Sequence, residues 1–397
     1  MVSLLGCAMR VVIVGGGVIG LLTAVSCVMA GHRVLVLDQS GIPFTGAASF
    51  DRHRALRALH LDDLPLTAAA VRAHRRWTDL ERLLATRFYE QVGALTVLSP
   101  EDLPRAHDML ASAGSQPRVI TAPELAAGYP HIRFPAGAGA VVESRAGILL
   151  ADRLLMACAD WLRQHDSASL RPHSAVVSID AGGPAVQLAN GDSVRGDAVL
   201  VATGPWSRAL LPPELAGRLV LYRQSMIYLH VPSPDLEAWL ATPSVRPIGP
   251  DKDTWMIPPV GGTPLKVSAA SACRVADEVT GNATPPFWRD HLIGVAAATV
   301  QAFDASWLAG TRDCYYLSQP PASPMLAVLA DRVISFAACA GASFKFAPLI
   351  AAALAERLAG ARPAPTGLRF IDDPIGAVPG GTAAVRPLTR PAMRGAP

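Results

Sequence analysis

RVVIVGGGVIG, residues Arg10–Gly20, decides how the chain begins to fold. Arg10–Val14 is a β-branched run of the kind found in strands buried on both faces. Gly15, Gly17 and Gly20 follow in G-x-G-x-x-G order, a helix extends to about Ala30, and HRVLVLD forms a second strand ending at Asp38. Gly15 makes the turn, Gly17 lets a pyrophosphate approach the backbone, and Gly20 lets helix and strand pack closely. The helix start, at Val18 and Ile19, offers unpaired N–H groups and a favourable dipole to phosphates. Asp38 stands 23 residues beyond Gly15, where a carboxylate accepts both ribose hydroxyls and disfavours a 2′-phosphate. Ala24 and Gly31 add small residues for close packing. A strand, a glycine turn, a helix and a terminal acid together predict a dinucleotide site. A purely structural glycine turn would not need Asp38.

The apolar stretch Val11–Gly31 invites comparison with a membrane span or a signal sequence. Four glycines interrupt its first half and no small-residue cleavage site follows, so neither reading is preferred and no membrane association is expected. The chain has 397 residues, 51% of them hydrophobic, enough for two compact lobes. Charged residues make up 17% and the net charge is +3, which gives no basic surplus for nucleic acid. Cys7, Cys27, Cys158, Cys273, Cys314 and Cys339 are scattered without a CxxC pair. That is neither a disulfide framework nor a metal site, and it fits a reducing cytoplasm. Of 35 basic side chains only Lys252, Lys266 and Lys345 are lysines. A lysine kept among arginines suggests a site that needs a compact point charge with a pKa that burial can lower.

Farther along, SAVVSI (which includes Val176), AVQLANGD and SVRGDAVLVATGPWSR read as a strand, a hairpin at Asn190–Gly191 and a buried strand. That last strand runs into Ala202, Thr203, Gly204, Pro205 and Trp206. Two-dinucleotide-fold flavoproteins return to the cofactor through such a segment, so FAD is expected rather than NAD. The aromatic hydroxylases would carry a GD turn near the last strand, where this chain has ACAGASFKFAP.

These motifs, with HRALRALH, TWMIPPVGGTPLKVSAAS, RDCYYLSQPPAS and GASFKF, resemble the monomeric sarcosine oxidase group of the D-amino-acid-oxidase-like flavoproteins. The resemblance implies an α/β fold with an α+β second lobe: a Rossmann-like FAD-binding domain interleaved with an antiparallel-sheet substrate domain. The FAD-binding parts would be residues 1–84, 151–217 and 321–375, and the substrate parts 85–150 and 218–320. Residues 376–397, rich in Pro, Gly and Ala, would be a loose tail. By the same resemblance Arg54 lies near the flavin ring and Arg57 at the substrate carboxylate. A helical turn would put both on one face, although an RxxR on a solvated helix is commonplace. Lys266 matches the lysine that promotes reaction with oxygen, where a fixed positive charge stabilises the superoxide that forms. Cys314 matches the cysteine that carries FAD covalently, and Tyr316 follows it. Gly341, Ser343 and Phe344 open a helix toward the reduced flavin's electron-rich edge. Lys345 would reach the substrate carboxylate opposite Arg57. Two of the three lysines thus fall where the family uses one.

The chain also departs from the family. Ala270 stands where a histidine binds the small amino acid, Trp255 replaces a tyrosine, and Ala342 and Ser343 replace a glycine-turn histidine. These losses point away from sarcosine toward a larger secondary amine or cyclic imino or amino acid, in secondary metabolism. Hydride would pass to FAD, giving an imine, and O₂ would reoxidise the cofactor to give hydrogen peroxide. The expected protein is a monomer or small homo-oligomer that needs only a small-molecule amine and O₂. Three other readings stay open: desaturation or aromatisation of a ring, a dehydrogenase that hands electrons to a protein partner, and a flavin-binding subunit without oxidase activity.

Overall fold

The computed structural model describes residues 8–180 and 182–376. Cys7 and, but for Gly376, the tail expected over 376–397 lie outside them. Arg10–Val14 is the strand that its β-branched run predicts, and Val18–Met29 the helix. The strand pairs in parallel with Arg33–Leu37 on one side and Ala198–Val201 on the other. Side-chain alternation then divides its residues between two cores. Val11 and Ile13 join a cluster with Leu21, Leu22 and Val25 of the helix and with Ala351 and Leu354 of a second helix, Ala347–Leu358. Val12 and Val14 face the opposite way, onto Val186, Leu188 and Val194. Those three belong to an antiparallel meander, Val176–Asp180, Ala185–Leu188 and Ser193–Arg195. The turn expected at Asn190–Gly191 joins its last two strands, with Gly191 at φ +94°.

The complete sheet has six strands, in the order Met325–Ala330, Val333–Ala338, Ala198–Val201, Arg10–Val14, Arg33–Leu37 and Ala168–Arg171. Only Met325–Ala330, at one edge, runs antiparallel to its neighbour. Arg10–Val14 lies between strands that the chain enters from opposite directions, and such switch points open a crevice at the strands' carboxyl ends. Gly15, Asp38 and Ala202 all sit at those ends.

A second sheet of nine strands is drawn from residues 94–143 and 220–318 and is mainly antiparallel. Its spine is the pair Val220–Leu229 and Leu308–Ser318, which brings Cys314 opposite Gln224. Leu265–Ala269 lies on the other side of Val220–Leu229, with Lys266 opposite Tyr228. Trp239, Ile227, Val267 and Leu292 fill the core under this sheet. The FAD-type and antiparallel halves therefore alternate along the chain as an α/β fold with an α+β second lobe. Among the described residues no helix is long and apolar enough to cross a membrane.

One local expectation fails. Arg54 and Arg57 do not share a helical turn: Arg54–Leu56 is a short strand paired with Gly147–Leu149. In continued strand, residues three apart would point to opposite faces. The strand stops at Leu56, and the change of backbone direction lets both arginines face the same space.

Candidate active site

That space is a cavity of about 620 Å³ between the two sheets. At its first end Gly15 has φ +110°, and a Cβ there would stand 2.4 Å from the Ala202 carbonyl oxygen. Only glycine fits both constraints. Gly20 does not line the cavity. A Cβ on it would come within 1.9 Å of the Gly15 oxygen, so its part is to let the helix lie against the strand. Gly17 caps the helix with no side-chain hydrogen bond, and Gly17, Val18 and Ile19 border the cavity. Asp38 accepts from the Gly16 N–H and the Ser40 N–H, each at 2.8 Å, and so is fixed at the cavity edge. Val176, Gly204 and Trp206 also line this end.

At the other end Gly341, Ser343 and Phe344 form the wall, ahead of the helix Ala347–Leu358. Gly341 has φ +66°, and its missing side chain leaves room for the Tyr316 ring, 3.1 Å from where a Cβ would be. Phe344 stacks on Trp77, whose indole N–H donates to the Lys345 carbonyl at 2.9 Å. Cys314 lines the cavity while 8% exposed, and Arg54 Nη2 stands 3.8 Å from its sulfur. Cys339 lines the cavity too, but burial pushes its thiol up.

Lys266 is almost wholly buried where it meets the cavity, with Nζ 5.7 Å from the centre of the Trp255 ring. It donates to the carboxylate of Asp51, a residue that no sequence motif singled out. Asp51 is 3% exposed and also accepts from Arg54 and from the Tyr228 hydroxyl. Burial, and then the Arg54 guanidinium, push the Lys266 pKa well below the ordinary lysine value. The Asp51 carboxylate paired with it acts in the opposite direction. Beside this pair His53 is completely buried with neither ring nitrogen hydrogen-bonded. Burial and the Lys266 charge keep it neutral.

The proposed substrate residues divide. Arg57, Trp255 and Tyr316 line the cavity. Ala270 does not: it lies past the end of Leu265–Ala269 and is exposed. An alanine there cannot enlarge the site, although Ala342 and Ser343, in place of the other missing histidine, do line it. Lys345 is also absent from the wall. Its Nζ donates to His60 Nε2 at 2.8 Å and to the Arg57 carbonyl at 3.3 Å. The cavity's further cation is Arg246, on the strand Ser244–Ile248, which sequence patterns gave no reason to choose among so many arginines.

The residues fit FAD. A helix start, a Gly15 whose Cβ would strike the neighbouring strand end, an oriented acid and a second helix start border one continuous cavity. Such a cavity, at a parallel-sheet switch point and with a lysine and a thiol at its far end, defines a flavin-type oxidoreductase.

The chain belongs to the FAD dependent oxidoreductase (DAO) family, whose model matches residues 10–357. It is 26% identical to peroxisomal sarcosine oxidase of Homo sapiens over 204 residues, 51% of this chain and 52% of that protein. The chain spans about half the length of the curated relatives it matches. Among solved structures, NikD, an unusual amino acid oxidase essential for nikkomycin biosynthesis, superposes with a TM-score of 0.75 at 19% identity. That match covers 94% of this chain and 98% of NikD. A thermally stable mutant of fructosyl peptide oxidase also gives 0.75 at 19% identity, covering 94% of each chain. At these identities the structures speak for the fold.

Proposed function

We propose that the protein is an FAD-dependent oxidase of a secondary amine or a cyclic imino or amino acid larger than sarcosine. FAD, when bound, supplies a two-electron acceptor that takes hydride from the carbon beside nitrogen and yields the electrons to O₂, so the products are an imine and hydrogen peroxide. The observation that carries this reading is the single cavity with a dinucleotide cradle at one end and Lys266, Arg57 and Trp255 at the other.

Each side chain then has a task. Gly17, Val18 and Ile19 present the helix start to the pyrophosphate, and Asp38 takes the ribose hydroxyls. Cys314 is the covalent anchor, with the Arg54 guanidinium beside its sulfur. Lys266 holds a positive charge where oxygen gains negative charge, in a place closed to water. Trp255 gives the amine an apolar wall. Arg57 and Arg246 raise the local positive potential, which favours the neutral amine; only that form has the free lone pair that drives hydride departure. Ala342 and Ser343 leave room for bulk beyond a methylamino group, which supports the larger substrate.

The test is a panel of secondary amines and cyclic imino acids mixed with the yellow holoprotein without oxygen. At least one should bleach the flavin, and sarcosine should be a poor member of the set. If ring substrates without nitrogen bleach it and no amine does, the reading is wrong. The anchor is tested separately. Acid-precipitated wild type should stay yellow and Cys314→Ala should release its colour; flavin that washes freely from the wild type removes the covalent assignment.

A further inference from the structure

We propose that Arg246, paired with Arg57, is the clamp for a substrate carboxylate, so that the substrate is an amino or imino acid and not a simple amine. The inference rests on reading the cavity as the amine-oxidising site.

Two guanidinium groups line one cavity with no carboxylate assigned to either. Among the described residues the Arg246 side chain makes no hydrogen bond or ion pair, and it lines the cavity wall. Arg57 spends one Nη donor on the Leu59 carbonyl at 2.6 Å and has the rest of its fork available. The nearest acid, Glu143, is committed elsewhere: its oxygens accept from the Ala58 N–H at 2.7 Å and the Leu59 N–H at 3.2 Å. Burial weakens the hold of both arginines on their protons, and the Arg246 charge lowers Arg57 further, to about 9. The two charges thus repel across the cavity they share. A planar carboxylate relieves that repulsion and can be gripped by two forks.

Lys345 is the competing cation, and its hydrogen bonds to His60 and to the Arg57 carbonyl turn it away. That geometry gives Lys345 the role of supporting the Arg57 backbone from behind. Arg246 enters instead from the antiparallel sheet. Its strand places Val245 opposite Met256, so Arg246 lies near Trp255, the apolar wall proposed for the amine. The charged and apolar parts of an imino acid would meet adjacent strands of one sheet.

The experiment uses the flavin-loaded protein and a matched pair of probes, cyclopentanecarboxylate and cyclopentanecarboxamide, with binding read from the flavin absorbance. Arg246→Met should weaken the carboxylate by roughly 10- to 100-fold, the scale of a lost charge-assisted hydrogen-bond pair. The carboxamide should bind wild type and variant alike. Arg246→Lys, which keeps the charge without the fork, should recover part of the loss. Lys345→Met should cost the carboxylate less than Arg246→Met does. The proposal is overturned if wild type binds no carboxylate, if Arg246→Met binds it normally or loses both probes equally, or if Lys345→Met costs more. Because the readout is binding, a protein that no amine reduces would still reveal the clamp, so the two failures are separable.

Discussion

At the residue scale the proposed chemistry turns on Lys266 and on the buried acid paired with it. Taking away Lys266 should leave anaerobic reduction by substrate nearly intact while reoxidation by O₂ falls by about 10²–10³, the usual cost of losing a preorganised charge in a dry site. Stopped-flow measurement of the two half-reactions in Lys266→Met checks this; equal losses in both would deny the lysine an oxygen-specific part. Asp51 predicts something subtler. Burial and Arg54 draw the Lys266 pKa down and Asp51 opposes them. Asp51→Asn should move the pH at which reoxidation fails downward by roughly two units, since an unpaired buried charge is costly. An unchanged pH profile would show that Asp51 has no hold on the lysine. Scarcity pointed to Lys266 in the sequence, but nothing pointed to Asp51. The two are 215 residues apart, and an acid in a loop has no pattern until the antiparallel sheet lies over it. Arg246 was hidden for the opposite reason, as one arginine among many. Scarcity also misled, because it gave Lys345 a place at the substrate that its bond to His60 denies it.

Among the elements, strand, glycine turn and helix were the most legible, because their geometry is set by neighbours in sequence. Gly15, Gly17 and Gly20 then make different predictions. Gly20→Ala puts a methyl 1.9 Å from the Gly15 oxygen, so backbone must move. It should lower stability by at least the ~1–3 kcal/mol of overpacking and lose flavin with it. In Gly17→Ala the new methyl meets only the Ser49 hydroxyl, at 3.2 Å. Stability should nearly hold while flavin binding weakens, because the methyl crowds the pyrophosphate. Urea midpoints with flavin content separate the two; identical behaviour would refute the division of labour. Arg54–Leu56 was the illegible element. A three-residue strand is held by its partner Gly147–Leu149, and a partner so distant leaves no local period.

For the whole molecule, burial lowers His53, His60, His74 and His131 below the ordinary histidine value. Burial lowers His74 to about 4 and His60 to about 2, and it keeps His53 well below 6.5. The unfolded chain takes up protons below pH 6.5 that the folded chain refuses, so folding stability falls as pH drops from 6.5 toward 4. Each histidine contributes up to roughly 1.4 kcal/mol per pH unit over its window. Glu143, raised by burial, works in the opposite sense. The clean measurement is therefore the difference between wild type and His74→Gln in urea at pH 7 and pH 5. The variant should lose less stability on acidification, and parallel losses would contradict the assignment. The fold's proposed purpose is a cavity that oxidises amines with O₂. That claim is tested most directly by bleaching the holoprotein with an imino acid under nitrogen, admitting oxygen, and counting peroxide against oxidised amine. The account predicts rapid return of the yellow colour with one hydrogen peroxide for each amine oxidised. Flavin that no imino acid bleaches, or that is bleached but returns only through an added electron carrier without peroxide, would contradict it.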